Sequence, residues 1–241
     1  MTNRMVYQSV SGQTIAPCPA QLLITSFDTW LPHQRSNAAD DLIQQAIDRQ
    51  DFPPEVLLLR HLPVENTTAR DLVSGYIDRF RPRVVLCCGM AESRSRLSLE
   101  QQATLNGQTI QTTIPLKAWC DRLAVTDLSD DAGQFVCNYL YYQVLDHPYS
   151  ARQALAEVRE PDPRHSDTAP GGNPLTIPRL NDPPSMPPQF HHAVFLHVPP
   201  LTTTNRHDTA QDFAAIVKAC LALSPTPPSS SQSSIRSTGD R

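Results

Sequence analysis

Three short apolar runs, separated by helical patterns, constrain the fold of this chain more than any other feature. The runs occupy residues 22–27, 56–59 and 84–88. Because they lack an alternation of apolar and polar side chains, they indicate strands that are buried on both faces. Between the runs, apolar residues recur at helical spacing over residues 39–47 and 69–80, as they do in amphipathic helices.

The same alternation continues in the second half of the chain. Residues 133–145 have the pattern of a largely buried helix, residues 193–198 form a last apolar run, and residues 208–223 form a final amphipathic pattern. Strands and helices that alternate in this way favour parallel strands with helices on both faces. The sequence therefore predicts an α/β fold, a three-layer α/β/α arrangement with a mainly parallel central sheet.

Two proline-rich stretches lie outside this pattern. Nine of the 23 prolines fall within residues 160–190, and prolines at this density exclude both helices and central strands. Residues 224–241 are rich in proline and serine and have a single aliphatic side chain, so they cannot bury enough surface to fold. We predict one domain over residues 21–223 with a surface insertion at about 160–190, preceded by an irregular segment, 1–20, and followed by a disordered tail.

Charge and composition exclude several classes of partner. The net charge is −4 and no basic stripe stands out, which argues against binding to nucleic acid or to anionic lipid. Residues 1–20 lack the apolar segment of a secretory signal, and no apolar run is long enough to span a membrane, so we expect a cytoplasmic protein. The six cysteines include no C-x-x-C pair, so neither a zinc site nor a disulfide framework is predicted.

Cys137 occupies a position that favours a reactive thiol, because it lies near the start of the predicted helix. Unpaired N–H groups and the helix dipole stabilise a thiolate there, which predicts a thiol pKa below the free value of about 8.5. A thiol nucleophile also needs a base. His197 lies near the end of the run 193–198, at the sheet edge where ligands bind. Taken alone, a cysteine or a histidine at such a position is more often an ordinary core residue.

Four segments resemble, in the same order along the chain, motifs of the pyroglutamyl-peptidase I family of cysteine peptidases. Residues 26–30, S-F-D-T-W, are similar to G-F-D-P-F, and residues 89–94, G-M-A-E-S-R, are similar to G-x-A-G-G-R. Residues 132–138, A-G-Q-F-V-C-N, are similar to A-G-T-F-V-C-N and are the most specific match. Residues 195–199, F-L-H-V-P, are similar to F-I-H-x-P, and the resemblance spans about residues 21–222.

This resemblance implies a catalytic triad formed by Glu100, Cys137 and His197. The family removes an N-terminal pyroglutamyl residue from a peptide with water, so the implied partner is a small peptide with a blocked N-terminus. The implied chemistry needs no cofactor and no metal. Relatives assemble into oligomers, and a homo-oligomer is therefore a further expectation.

The resemblance also implies how the substrate is held. Arg94 would stabilise the oxyanion together with amides of the helix that contains the nucleophile. Phe27 and Trp30 would offer aromatic faces to the flat lactam ring, and backbone groups around Gly89 and Met90 would form hydrogen bonds with it. Without the resemblance, the two aromatic residues are equally consistent with core packing.

Three departures from the family's pattern concern loops near the substrate. Leu31-Pro32 and Glu92-Ser93 replace two glycine pairs, and Gln101 replaces an arginine. Because glycine pairs allow backbone shapes that side chains block, the loops are expected to be reshaped. Two alternatives therefore accompany the peptidase hypothesis: a catalytically weak member that binds a ligand or a partner through the same cleft, and a thiol hydrolase of another amide.

Overall fold

The computed structural model describes residues 7–9, 21–150 and 191–223. The strands in these ranges are β1 (Tyr7–Ser9), β2 (Leu22–Phe27), β3 (Val56–Leu62), β4 (Val84–Met90), β5 (Leu97–Glu100), β6 (Gln102–Leu105), β7 (Gln108–Gln111), β8 (Thr126–Ser129) and β9 (His192–Val198). The helices are α1 (Ala38–Asp48), α2 (Asn66–Phe80), α3 (Leu116–Cys120), α4 (Val136–Leu145) and α5 (Arg206–Ala222).

Seven of these strands form one sheet in the order β1-β3-β2-β4-β9-β5-β8. Strand β2 runs parallel to β3 and β4, β4 runs parallel to β9, and β5 runs parallel to β8. The β1–β3 and β5–β9 pairs are antiparallel. Strands β6 and β7 form a separate hairpin. The prediction of a mainly parallel central sheet is confirmed.

Helices cover both faces of the sheet. On one face, Leu22 and Ile24 of β2 belong to a core that includes side chains of α1 and α5. On the other face, Leu23 and Phe27 of the same strand pack in a core with α2 and α4. Successive side chains of a strand point to opposite faces, so one unbroken apolar run supplies both cores. The three-layer α/β/α prediction is therefore confirmed.

Local signals set the ends of the helices that flank the strands. The Asn37 side chain accepts a hydrogen bond from the Ala39 N–H at 3.0 Å and so caps α1. Glu65 caps α2, because its carboxylate accepts the N–H groups of Thr67 and Thr68 at 3.0 and 2.7 Å. Helix α2 ends at Arg81, whose φ of 47° is left-handed, and the proline that follows cannot continue the helix.

The predicted outer segments have different outcomes. Residues 1–20 were expected to be irregular, but Tyr7–Ser9 form the edge strand β1, which pairs with residues 57–59 of β3. That part of the prediction is wrong, because a three-residue strand has too little pattern to recognise in a polar segment. The insertion at about 160–190 and the tail at 224–241 lie outside the described residues. None of the described helices is both long and apolar enough to span a bilayer.

Candidate active site

Four neighbouring strands form the floor of the candidate site, with residues aligned in two rows across β4, β9, β5 and β8. One row consists of Gly89, His197, Ser98 and Asp127. The other row, two residues away along each strand, consists of Cys87, Phe195, Glu100 and Ser129. Residues that pair in register point to the same face of a sheet, so both rows lie on the face that packs against α4.

Helix α4 places the thiol of Cys137 on this floor. Cys137 is the second residue of α4, and the preceding Phe135 makes no side-chain capping hydrogen bond. The thiol lies directly against β4, since a Cβ atom built on Gly89 would be 2.8 Å from Cys137 Sγ and 3.0 Å from the Phe195 ring. Gly89 is also the register partner of His197. The structure therefore places the predicted nucleophile, on α4, against the strand next to that of the predicted base. It also confirms that the cysteine lies near the start of a helix.

His197 is held by a buried carboxylate. Its Nδ1 lies 2.7 Å from Oε1 of Glu100, which is fully buried. Because an ionised carboxylate can only accept hydrogen bonds, this contact places the proton on Nδ1 and leaves Nε2 as the basic nitrogen. The Tyr141 hydroxyl donates to the backbone carbonyl of Glu100 at 2.9 Å, and in the described part of the chain Oε2 of Glu100 has no hydrogen-bond partner.

Arg94 contacts the same carboxylate. One of its terminal nitrogens, Nη2, lies 3.0 Å from Oε1 of Glu100, 3.3 Å from the Ser129 hydroxyl and 2.6 Å from the Asp131 carbonyl. Arg94 thus neutralises the buried charge that orients His197. The resemblance implied an oxyanion role for this residue, and the geometry instead favours a role in positioning Glu100.

Burial raises the pKa of the Cys137 thiol to about 12, and neighbouring Cys87 and Glu100 act in the same direction. A hydrogen bond from the helix backbone opposes these effects but is weaker. The prediction of a lowered pKa is therefore wrong for the free protein: the side chain is only 9% exposed, and loss of hydration outweighs the helix terminus. Within the described site, no hydrogen bond joins the thiol to the His197 ring.

The residues predicted to hold the lactam ring separate into two groups. Gly89 lies against the thiol and so belongs to the site. Phe27 is buried in the core on the same face of the sheet as Cys137. The Met90 side chain packs in the core on the opposite face, where its sulfur accepts the Ala38 N–H at 3.3 Å. Trp30 is 40% exposed in the loop after β2.

One of the positions that depart from the family's glycine pairs, Glu92, forms a contact between two loops. The Glu92 carboxylate lies 3.0 Å from the Gln34 side-chain amide and 2.9 Å from His33 Nε2. The side-chain carbonyl oxygen of Gln34 in turn accepts hydrogen bonds from the backbone N–H groups of Trp30 and Leu31 at 3.0 and 3.2 Å. The loop that contains Trp30 is therefore linked to the loop that leads to Arg94, a link that sequence reasoning missed.

Sequence reasoning also missed Tyr141 and Ser98. Tyr141 follows Cys137 by one helical turn, so its position on the thiol's face of α4 was readable from the spacing. Ser98 is the register partner of His197, and no sequence signal identifies it without the strand pairing. Among the residues that the structure describes, no group of three or more His, Cys, Asp and Glu side chains is arranged to hold a metal ion.

Comparison with known proteins identifies relatives in sequence and in fold. A pyrrolidone-carboxylate peptidase from Cupriavidus taiwanensis is 26% identical over 141 residues, which cover 48% of this chain and 64% of the relative. One from Bacillus cytotoxicus is 24% identical over 150 residues, which cover 52% of this chain and 69% of the relative. No family model matches the chain.

Among solved structures, pyroglutamyl peptidase I from Bacillus amyloliquefaciens is similar over 84% of this chain and 97% of its own length, with a TM-score of 0.57 and 15% sequence identity. At this identity the likeness establishes the fold. The matched segment spans less than two thirds of the Cupriavidus relative. The sequence relatives confirm the resemblance to the pyroglutamyl-peptidase I family, and the solved structure confirms the fold that this resemblance implies.

Proposed function

We propose that this chain is a cysteine exopeptidase that removes an N-terminal pyroglutamyl residue from peptides, with Cys137 as nucleophile and His197 as base. The observation that supports this most is the 2.7 Å contact between Glu100 and His197, on the strand next to the thiol. The names of the sequence relatives and of the structural neighbour favour the same activity.

The resting enzyme would contain a neutral thiol. With a Cys137 pKa raised to about 12 by burial, the thiol is protonated at neutral pH. A preformed thiolate–imidazolium pair is therefore not the starting point. Instead, His197 would take the thiol proton through Nε2 as the sulfur attacks, and Glu100 with Arg94 would stabilise the imidazolium that forms.

Acylation would follow from these positions. As the bond between Cys137 Sγ and the pyroglutamyl carbonyl carbon forms, the thiol proton moves to His197 and the carbonyl oxygen becomes an oxyanion. The open N–H groups in the first turn of α4 lie beside the sulfur and would donate to this oxyanion. When the tetrahedral intermediate collapses, the C–N bond breaks and His197 gives its proton to the leaving amine.

Deacylation would reverse the roles of the same groups. His197 takes a proton from water as the water oxygen attacks the thioester carbonyl. The C–S bond then breaks, the proton returns to Cys137, and free pyroglutamate leaves. Glu100 keeps the same contact with Nδ1 through both halves, so the imidazole needs no reorientation.

The acyl pocket would lie on the β2 side of the thiol. Phe27 ends β2 and is buried in the core that also contains Cys137, and it would provide an aromatic wall for the lactam ring. Trp30 lies on the loop after β2, which Gln34 links to Glu92. Its side chain is exposed enough to cover the opening of that pocket once substrate has bound. In contrast to Phe27, the Met90 side chain faces away, so only its backbone is available to the substrate.

A second candidate is a catalytically weak member that binds a blocked N-terminus or a partner through the same cleft. The specific observation in its favour is the protonated, buried thiol without a hydrogen bond to His197. A binding module needs neither a reactive thiolate nor a hydrogen bond between the thiol and His197. The two candidates differ in whether acyl transfer to sulfur takes place.

Turnover of pyroglutamyl-aminomethylcoumarin by the purified chain tests the proposal, with the Cys137→Ala variant as control. The proposal predicts release of the fluorescent amine by wild type and background release by the variant. If wild type releases none, yet binds a pyroglutamyl amide with a reactive thiol, the binding module is the correct account.

A further inference from the structure

A polar cleft of about 420 Å³ opens on the β5–β8 side of the site. It is a shallow depression that is open to solvent. Its lining includes the loop Ser93-Arg94-Ser95-Arg96 together with Ser98 and Asp127. Arg94 and Ser98 connect it to the catalytic groups, since Arg94 contacts Glu100 and Ser98 is the register partner of His197.

The cleft has more hydrogen-bond donors than acceptors. Arg94 uses only Nη2 in the contacts that the described residues make with it, and Arg96 uses only Nε and Nη2. The hydroxyls of Ser93, Ser95 and Ser98 have no hydrogen-bond partner in the described part of the chain. Several N–H and O–H donors therefore remain available to a ligand that accepts hydrogen bonds.

The acidic groups around the cleft are already engaged. Both carboxylate oxygens of Asp127 accept from Arg96 Nε at 3.0 Å. The Asp131 carboxylate accepts the Gly133 N–H at 2.9 Å, and Glu92 is held by its contacts with the loop after β2. A ligand with a negative charge would therefore meet two guanidinium groups whose outward nitrogens are uncommitted.

The strand order places this cleft where the leaving peptide must go. Along β2-β4-β9-β5-β8, Phe27 and the thiol precede His197, whereas Ser98 and Asp127 follow it. The acyl group stays on the thiol, and His197 protonates the amine, so the leaving peptide extends toward β5 and β8. Neighbouring strands are about 4.8 Å apart, and an extended chain advances about 3.4 Å per residue. An extended peptide that runs from His197 to Asp127, two strands away, would therefore span two or three residues, and Arg96 contacts Asp127 at that point.

We infer that this cleft is a leaving-peptide subsite that selects a carboxylate, with Arg96 as its specificity-determining residue. The inference rests on the proposed peptidase function and names its substrate class: short peptides whose C-terminal carboxylate, or an acidic side chain, lies two or three residues after the pyroglutamyl group. Asp127 weakens this selection because its carboxylate already accepts hydrogen bonds from Arg96 and so competes with the ligand for the guanidinium group.

Two substrates of equal length test the subsite. Pyroglutamyl-Ala-Ala with a free carboxylate is expected to have a kcat/KM roughly fivefold higher than its C-terminal amide, with the difference in KM, as fits one partly exposed charge-assisted contact. The preference should fall at high salt. Equal values for the two substrates, with turnover of pyroglutamyl-aminomethylcoumarin intact, would overturn the subsite and leave the proposed function standing.

Two surface variants should shift the preference in opposite directions. Arg96→Gln removes the cation and exposes Asp127, so the ratio of acid to amide should fall to about one or below. Asp127→Asn releases Arg96, so the ratio should rise above the wild-type value. Lys117→Gln is the matched control, because it breaks an exposed ion pair between Lys117 of α3 and Asp121, which follows that helix. This variant should leave the ratio of acid to amide unchanged. A merely structural role for the Arg96–Asp127 pair predicts that both variants shift the ratio in the same direction, or not at all.

A binding measurement keeps the subsite testable if the chain proves inactive. Ala-Ala and Ala-Ala-amide resemble the leaving product, and their binding to the full chain can be followed by NMR titration. The subsite predicts tighter binding of the free acid by roughly fivefold, lost in Arg96→Gln. Equal affinities for acid and amide would overturn it, whereas absence of turnover alone would count against the peptidase.

Discussion

Two buried histidines lie at opposite ends of strand β9, His197 within the strand and His191 directly before it. Their surroundings differ. At the carboxyl end, His197 lies 2.7 Å from the buried carboxylate of Glu100. At the amino end, His191 lies 3.0 Å from the Val144 carbonyl through Nε2, and its Nδ1 has no hydrogen-bond partner among the described residues. Burial lowers the pKa of His191 to about 4, so it stays neutral at physiological pH.

The comparison shows that burial at a strand end does not make a histidine a base. A base must be able to become an imidazolium, and that requires a nearby negative charge in a dry environment. Glu100, supported by Arg94, supplies this charge at one end of β9. At the other end, His191 faces the Val144 carbonyl and the ring of His147, 5.5 Å away between centroids. The carbonyl favours the charged ring, but burial outweighs it.

The largest expected effect separates the two histidines directly. His197→Ala should reduce turnover of a pyroglutamyl amide by roughly 10⁴-fold or more, because His197 is the proposed acceptor of the thiol proton. His191→Gln should retain turnover within about twofold at temperatures where it is folded, since its side chain touches no reacting atom. Steady-state kinetics with circular dichroism of both variants measures this contrast. Comparable losses in two folded variants would show that the ends of β9 are not functionally distinct.

Removal of the charge at Glu100 should have the next largest effect. Glu100→Gln keeps the shape of the side chain but cannot stabilise an imidazolium, so kcat should fall by roughly 10²- to 10⁴-fold with little change in KM. The loss should not add to that of His197→Ala, because the two residues act as one unit. Full activity in Glu100→Gln would remove the feature that distinguishes His197 from His191.

Two glycines allow a matched test of how tightly the thiol is positioned. Gly89→Ala places a methyl group 2.8 Å from the Cys137 sulfur, so the thiol must move and turnover should fall by about 10²-fold. Gly75 lies exposed in α2 with nothing within 4 Å of a built Cβ. Gly75→Ala should therefore leave turnover unchanged and stabilise the fold by about 0.5–1 kcal/mol. Thermal unfolding and kinetics of both variants decide the matter, and a fully active Gly89→Ala would contradict the geometry.

The last prediction concerns pH and stability at the amino end of β9 and leaves turnover aside. The folded pKa of His191, about 4, lies below the unfolded value of 6.5, so the unfolded state binds more protons between these values. Stability present above pH 6.5 should be lost progressively as the pH falls toward 4, by about 3 kcal/mol for this group. Burial also lowers the pKa of neighbouring His147 and His192, which adds to the trend. Urea unfolding at pH 7 and pH 5 should show a smaller loss in His191→Gln.

Much of the sheet was predictable because its central strands are buried on both faces. Unbroken apolar runs identified β2, β3, β4 and β9. The strand that contains Glu100 was missed, since Leu97-Ser98-Leu99-Glu100 is short and alternates apolar with polar residues. The hairpin of β6 and β7 had a readable signal: Asn106 and Gly107 both have positive φ, at 52° and 77°, as a two-residue Asn-Gly turn requires.

The motifs predicted Cys137, His197 and Glu100 as the candidate site, and the structure places the thiol against β4 and His197 in contact with Glu100. The electrostatics of this arrangement could not be predicted from the sequence. The sign of the thiol pKa shift depends on how deeply the sulfur is buried against β4, and sequence contains no such distance. Helix α4 also begins three residues later than predicted, which leaves Phe135 76% exposed instead of packed.

Detection of a pyroglutamyl thioester on Cys137 tests the central claim most directly. The full chain is mixed with a pyroglutamyl amide, quenched in acid during turnover, digested and examined by mass spectrometry. We predict the mass of one pyroglutamyl group on the peptide that contains Cys137, its loss after treatment with hydroxylamine, and its absence in Cys137→Ala. Turnover that proceeds without acylation of Cys137, or that survives in Cys137→Ala, would contradict the assignment of the nucleophile.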